Sequence, residues 1–500
     1  MSNNWLLPLL LAISAWILMT VRQYNARRLR KGLVYPPGPY PLPLLGNLFQ
    51  FPTSSWWLKL TVLGQRFGPL VHLSMGSKHV VLIGSQETAI ELLEGTNSAD
   101  RPQFIMAGDL MGFGVSIAFI GYGERWRTYR RISHRVMSVT AVQMYNDMLA
   151  KEAIRLVRSL VQDPQSYREQ MRFSLGRTIM EVIYGIDCPT PDNTYIKVAE
   201  ETLENITHAV IPGSFMVDII PWLKYLPYIG LPFQKHAREG QKQVKLMVER
   251  PFKHVHRERS NGTAKPSFTS SLLDGEIGLA ESSDRDSIVS WAAATMYGAA
   301  GETMHATLLN FILAMTQNPA VQKKAQAEID SVVGRLRSPS FDDRPHLPYV
   351  NALVKELTRW RVVLPLGVPH MCYEDIQYKG YFLPKGAILI PNVWSISQDP
   401  VRYKDPLTFD PERFIKQNPE VDPLGFAFGY GPRICVGRNF AINQIYIFVA
   451  SLLWALDITP FDNKNVPEPE YTTGFIRAPL PFLCNITPRH PGVEDIPNMF

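Results

Sequence analysis

Five hundred residues, 46% of them hydrophobic and 19% charged, can bury a large core and exclude a disordered or low-complexity chain. A formal net charge of +6 and a pI near 8.9 are too weak to argue for nucleic acid, and fit a mild attraction to anionic lipid or an acidic protein. Cys188, Cys372, Cys435 and Cys484 lack metal-ligand spacing, and no internal repeat offers a boundary, so a single domain behind an N-terminal anchor is expected.

Near the start of the chain, the 17 residues from Trp5 to Val21 carry no charge and are followed by Arg22, Arg27, Arg28, Arg30 and Lys31. A cleaved signal peptide carries its positive charges before the apolar run; here they follow it. Residues 1–31 are therefore predicted to be an uncleaved transmembrane helix with its basic flank in the cytosol. In that topology the four thiols stay reduced, and the sequons at Asn205, Asn261 and Asn485 never meet the lumenal glycosylation enzyme. Prolines 36, 37, 39, 41 and 43 make residues 32–45 a stiff hinge, and residues 46–500 form the globular domain.

Past the hinge the pattern is mainly α. Small β regions are predicted at Val71–Leu73 and Val80–Leu82 around Gly76, and again from Tyr373 to Ile390, with turns at Lys379-Gly380 and Lys385-Gly386. Trp126 and Arg130 stand at i, i+4 on one helical face, and Arg127, Arg131 and Arg135 form a stripe rotated away from it. Ser260 to Asp286 is polar and glycine-bearing, the composition of a surface loop, and precedes a long apolar helix from about Ser287 to Met315. In the middle of that helix stand Ala299-Ala300-Gly301-Glu302-Thr303-Met304. A helical pattern from Val350 to Arg361 carries Glu356 and Arg359 at i, i+3, by themselves an ordinary exposed pair.

Near the C-terminus, Phe428-Gly429-Tyr430-Gly431-Pro432-Arg433-Ile434-Cys435-Val436-Gly437 sets one cysteine in a glycine-rich loop just before an apolar run. Gly431 and Gly437 let backbone pass close to a planar ring, and backbone N–H groups around Cys435 can hold its sulfur as an anion. The pattern suits a thiolate bound to a large, flat, anionic metal cofactor, with Arg433 answering a carboxylate. The bland alternative is a buried structural cysteine in an ordinary turn.

This stretch fits F-x-x-G-x-R-x-C-x-G at every fixed position and resembles the haem-ligand loop of the cytochrome P-450 family. Glu356-Leu357-Thr358-Arg359 resembles that family's E-x-x-R, Pro411-Glu412-Arg413-Phe414 its P-E-R-F, and Trp126 with Arg130 its W-x-x-x-R. The segment at Glu302 resembles [AG]-G-x-[DE]-T-[TS], with Ala300 in place of the commoner glycine and Met304 in place of the second hydroxyl. The resemblance extends over essentially everything after Pro36. It implies a mainly α fold with small β regions, and haem b ligated axially by Cys435 within the loop that includes Phe428 and Gly437. Trp126, Arg130, Arg433 and His370 would neutralise the haem propionates. A buried Glu356–Arg359–Arg413 cluster would fix the loop before Cys435. Glu302 and Thr303 would feed protons through a helix that opens locally, with Thr303 alone as the hydroxyl relay.

The activity implied is monooxygenation, for which a thiolate ligand favours O–O cleavage. With no nicotinamide or flavin fingerprint in the chain, electrons must come from NADPH through the flavins of a membrane-bound reductase, docked on the Arg127–Arg131–Arg135 stripe. An isomerase or peroxide-driven enzyme on the same fold would need neither that stripe nor Glu302-Thr303. A non-catalytic haem sensor or membrane carrier is the alternative from another class. Phe104 to Ile120, Val210 to Met216, Val363-Leu364 and Phe475-Ile476 occupy the family's pocket-lining stretches, and their Phe, Met and Ile content points to a bulky apolar substrate. Lys355 to His370, Gly425 to Asn439 and Thr472 to Arg477 resemble members from mushroom-forming fungi that act in secondary metabolism, many of them on terpenoids. The resemblance to microsomal members implies the endoplasmic reticulum membrane, with the catalytic domain facing the cytosol.

Overall fold

In the computed structural model, residues 32–490 and Val493 are described, except 44, 53, 77, 212, 276–283 and 463–465. The predicted transmembrane segment, residues 1–31, lies outside them. Among the described residues no helix is long and apolar enough to cross a membrane.

Helix α1 (Trp56–Phe67) leads into the hairpin β1 (Leu70–Met75) and β2 (Lys78–Ile83), and α2 (Gln86–Leu93) starts at Ser85, whose hydroxyl accepts from the Thr88 N–H. Five longer helices follow: α3 (Glu124–Met137), α4 (Asn146–Gln162), α5 (Tyr167–Tyr184), α6 (Thr194–Ala209) and α7 (Pro232–Ser260). Asn193 caps α6 by accepting from the Tyr195 N–H, and Pro232 occupies the first turn of α7, where a missing N–H costs nothing. Then come α8 (Arg285–Gln317), α9 (Pro319–Val332) and α10 (Pro348–Trp360), followed by β3 (His370–Met371), β4 (Ile376–Tyr378), β5 (Tyr381–Leu383) and β6 (Ile388–Pro391). The chain closes with α11 (Arg438–Ala455), β7 (Leu456–Pro460) and β8 (Cys484–Pro488).

Strands assemble in the order β1-β2-β6-β3, with β2 and β6 parallel, and two further antiparallel pairs join β4 with β5 and β7 with β8. The first two β regions fall where the alternation put them. The β7–β8 pair was not expected, because Leu456 follows Ala455 of α11 with no proline or glycine to mark the change. The core lies around α8, buried at every residue from Met304 to Thr316, which packs against α5 and α11.

Two expectations need correction. Ser260 to Asp286 is not a surface loop throughout: Phe268–Leu273 is a short helix, capped by the Ser267 hydroxyl, with Phe268 and Leu272 buried. Its C-terminal carbonyls, Leu272 O and Leu273 O, accept from Arg285 Nη2 at 3.0 Å, which ties it to the first turn of α8. Nor does α8 open locally. It runs as unbroken α-helix through Glu302, and the Thr303 hydroxyl donates to Ala299 O at 2.8 Å, so the side chain shares an i−4 carbonyl instead of breaking the ladder.

Candidate active site

Cys435 precedes α11 by three residues. Its backbone N–H donates to Phe428 O at 2.8 Å, closing the loop across half-buried Phe428. Gly429 and Gly431 both have positive φ, +80° and +50°. At Gly431 a Cβ would lie 2.5 Å from Leu93 O, so the loop can press against the end of α2 only with glycine there. Gly437 differs: its φ is −83° and a Cβ would meet open space, so protein packing alone gives no reason for glycine there.

Of the four cysteines, Cys188, Cys372 and Cys484 are buried and burial pushes each thiol up to about 12. Cys435 is the accessible one. Protein atoms crowd around its sulfur, so desolvation still raises its pKa. The N–H groups of Gly437 and Arg438 at the start of α11, together with the Arg130 and Arg438 charges, oppose that rise by favouring the thiolate.

Trp126 is buried in α3 with the Arg433 guanidinium 4.6 Å and that of Arg130 6.0 Å from its ring centroid. Arg130 Nη1 donates to Ile434 O, beside Cys435. Arg433 donates to three backbone carbonyls, Ala99 O at 2.6 Å, Ile120 O at 2.8 Å and Ile117 O at 3.3 Å, rather than to a carboxylate. His370, in β3, is 3.0 Å through Nδ1 from Ser98 O, a pure acceptor, so Nδ1 carries the proton.

The sequence reading did not single out Arg101. Its Nη1 donates to Val368 O and Pro369 O, both at 2.8 Å, and its Nε to Ala118 O at 3.0 Å, pinning the strand that carries His370. Two buried guanidiniums, Arg101 and Arg433, a half-buried one, Arg130, and the buried His370 imidazole thus stand close together. Burial lowers Arg433 to about 10, with Arg130 adding to the effect, and lowers Arg101 and His370 well below their ordinary values, with Arg433 contributing to both. Asp100 opposes the shifts of Arg101 and Arg433, but its Oδ1 accepts from the backbone N–H groups of Arg101 at 2.9 Å and Tyr122 at 2.8 Å. A buried cationic edge with one opposing acid, next to an accessible thiol at a helix start, fits a flat dianionic metal cofactor with a thiolate ligand.

Glu356 accepts from Arg359 Nη2 at 2.7 Å and from Arg413 Nε at 3.1 Å, with all three side chains 0–2% exposed. Burial alone would lower Arg413, but Glu356 and Glu420 more than offset it and hold the guanidinium raised. The cluster also receives the Asp410 N–H at 2.9 Å, and Arg359 Nη1 donates to Ser397 O at 2.8 Å, which staples α10 to the chain leading to the cysteine loop.

In α8, Glu302 and Thr303 are half-buried and Ala299 is exposed, and a Cβ on Gly301 would meet nothing, whereas Met304 and the residues after it are buried. Glu302 Oε2 lies 3.4 Å from Arg172 Nη2 of α5, and the same nitrogen is 3.5 Å from His305 Nδ1. Neither Arg172 nor His305 was legible as a site residue. Arg172 lies 130 positions from Glu302, and only the packing of α5 on α8 brings them together.

A mainly helical fold with small sheets, and a cysteine loop facing a buried cationic edge, define a haem-thiolate protein. The sequence profile of the cytochrome P-450 family matches residues 36–486. The chain is 38% identical over 481 residues to cytochrome P-450 monooxygenase COX2 of Coprinopsis cinerea, covering 93% of this chain and 91% of that one. It is 37% identical to cytochrome P-450 monooxygenase 58 of Postia placenta, over 98% of this chain and 94% of that one. A solved zebra fish cytochrome P-450 with abiraterone shares the fold at a TM-score of 0.70, with 24% identity, 87% of this chain and 100% of that chain covered. The chain belongs to the cytochrome P-450 family and is a cytochrome P-450 monooxygenase.

Proposed function

We propose that this enzyme inserts one oxygen atom from O2 into a bulky apolar secondary metabolite, with a terpenoid as the favoured substrate class and an NADPH-dependent flavin reductase as electron donor. Haem, when bound, would supply dioxygen activation, and the Cys435 thiolate would ligate its iron. Arg130, Arg433 and Arg101 would hold its carboxylates and Trp126 would present its indole on the same edge, whereas His370, whose Nδ1 proton goes to Ser98 O, would donate there only on gaining a second proton at Nε2.

Glu302 and Thr303 carry the oxygenase reading. An acid and a hydroxyl half-exposed in mid-helix, with small residues beside them, can hold protons and pass them on one at a time, as an oxygenase requires. An isomerase has no use for them. The apolar substrate class is supported by the aromatic wall of the segment from Phe104 to Ile120. Phe104 and Phe113 flank Phe119 at 5.0 and 5.7 Å, and Phe113 reaches Trp291 of α8 at 6.0 Å. The Arg477 N–H donates to Val363 O at 2.8 Å, joining two further pocket-lining stretches.

Arg127, Arg131 and Arg135 are exposed on α3 and form ion pairs with no acid among the described residues, as a dock for an acidic flavin domain requires. Exposed Trp222, Tyr225 and Ile229, between α6 and α7, supply aromatic and apolar surface that suits a membrane interface, and the resemblance to microsomal members assigns that seat to the endoplasmic reticulum with the globule in the cytosol. The test is co-expression with a fungal reductase and mass spectrometry against a panel of terpene scaffolds under labelled dioxygen. An NADPH-dependent product carrying one labelled oxygen is expected; conversion without NADPH or without label would favour the isomerase or peroxide-driven reading.

A further inference from the structure

The carboxylate of Glu302 is the acid of the proposed proton route, and what holds it lies on another helix. Arg172 of α5 places one nitrogen, Nη2, between two acceptors, 3.4 Å from Glu302 Oε2 and 3.5 Å from His305 Nδ1. Both contacts are long, as befits one donor shared between two acceptors on a side chain 42% exposed. His305 is only 4% exposed, and its Nε2 is 3.0 Å from Arg168 O. A carbonyl oxygen accepts only, so Nε2 carries the proton and the Nδ1 lone pair faces Arg172. Burial, with the charges of Arg172 and Arg168, lowers this imidazole to about 3, so it remains a neutral acceptor throughout the working range of the enzyme.

A competitor lies close by. Glu200 of α6 is half-buried, and burial raises its carboxyl while Arg172 pulls it down and Glu302 pushes it up. Arg172 therefore stands within electrostatic reach of two carboxylates, with nothing in its own flexible stem to choose between them. We propose that His305 is a positioning residue of the oxygenation reaction, which keeps Arg172 on Glu302 and away from Glu200, so that the proton-delivering carboxylate stays held in one position beside α5. This rests on the oxygenase reading above. It assigns His305 a task that burial alone would not give it, since any apolar side chain of like volume would fill the space.

The two nitrogens of His305 can be tested separately. His305→Asn puts an amide oxygen near the position of Nδ1 and keeps the acceptor for Arg172; His305→Gln puts an amide N–H near that of Nε2 and keeps only the anchor to Arg168 O. Product formed per NADPH consumed should stay within about twofold of wild type in the Asn variant and fall roughly tenfold in the Gln variant, with hydrogen peroxide rising to match. Substrate-induced spectral change and the reduced carbon-monoxide spectrum should be unaltered in both. Crystal structures should show Arg172 on Glu302 in the Asn variant and turned toward Glu200 in the Gln variant. The double variant His305→Gln/Glu200→Gln, which removes the competitor, should recover coupling. Equal coupling in the two single variants, equal loss of folded holoenzyme in both, or an Arg172 that stays on Glu302 in the Gln variant would overturn the assignment. Should wild type form no product with NADPH, the oxygenase reading fails by itself, and the position of Arg172 in the crystals still judges His305.

Discussion

Thr303 and His305 sit two residues apart on α8 and are asked to do different things. The Thr303 hydroxyl already donates to Ala299 O at 2.8 Å, so its oxygen keeps lone pairs for a second partner without disturbing the helix. Thr303→Ala should leave haem binding and substrate binding close to wild type while most NADPH-derived electrons leave as peroxide. Glu302→Gln should have a similar effect, and the double variant should be no worse than the poorer single one, because both groups serve a single relay. Product per NADPH for the three variants decides it, and wild-type coupling in Thr303→Ala would mean that protons reach the site by another route. His305 makes a separate prediction about stability. Its folded value of about 3 lies below the ordinary 6.5, so between those values the unfolded chain binds a proton that the folded one refuses. This contribution is complete above pH 6.5 and is lost as the pH falls, at up to about 1.4 kcal/mol per pH unit. Urea melts between pH 7.5 and pH 5 should show a shallower acid slope in His305→Asn, with buried His370 supplying part of what remains; an unchanged slope would contradict the assignment.

At the scale of elements, the cysteine loop is positioned from two sides, by α2 through the left-handed Gly431 and by α10 through the Glu356 cluster. Removing the shared acid in Glu356→Ala leaves Arg359 and Arg413 buried without their common partner, a loss on the order of 3–5 kcal/mol. The expected outcome is a sharp fall in folded, haem-loaded protein and a lower urea midpoint, while wild-type stability would show that Glu420 alone compensates Arg413. Much of this was readable in advance. Glu356, Arg359 and Arg413 carry a spacing that the resemblance turned into a cluster, and Cys435 lies in a loop where Gly431 has a steric reason. Arg101, Arg172 and His305 were not readable. Each does its work through partners far along the chain, Arg101 through carbonyls 267 and 268 positions away, and no local periodicity reports such a contact. The β7 strand was missed for the opposite reason, since it is so local a change, Ala455 to Leu456, that no breaker marks it.

For the whole molecule, the described fold presents an exposed arginine stripe on α3 and an aromatic, apolar surface between α6 and α7. If residues 1–31 anchor the chain with the globule in the cytosol, full-length protein should resist carbonate extraction and carry no glycan at Asn205, Asn261 or Asn485. Endoglycosidase-sensitive mass at any of the three would reverse the topology.

The central claim is that Cys435, as a thiolate, would ligate the iron of a haem that the cationic edge around Arg433 would hold. The most direct test is the reduced carbon-monoxide difference spectrum of wild type and Cys435→His, measured beside total haem content. Wild type should show the strongly red-shifted Soret band that a thiolate ligand produces, and Cys435→His should lose that band even where haem stays bound. A thiolate-type band retained in Cys435→His would contradict the account.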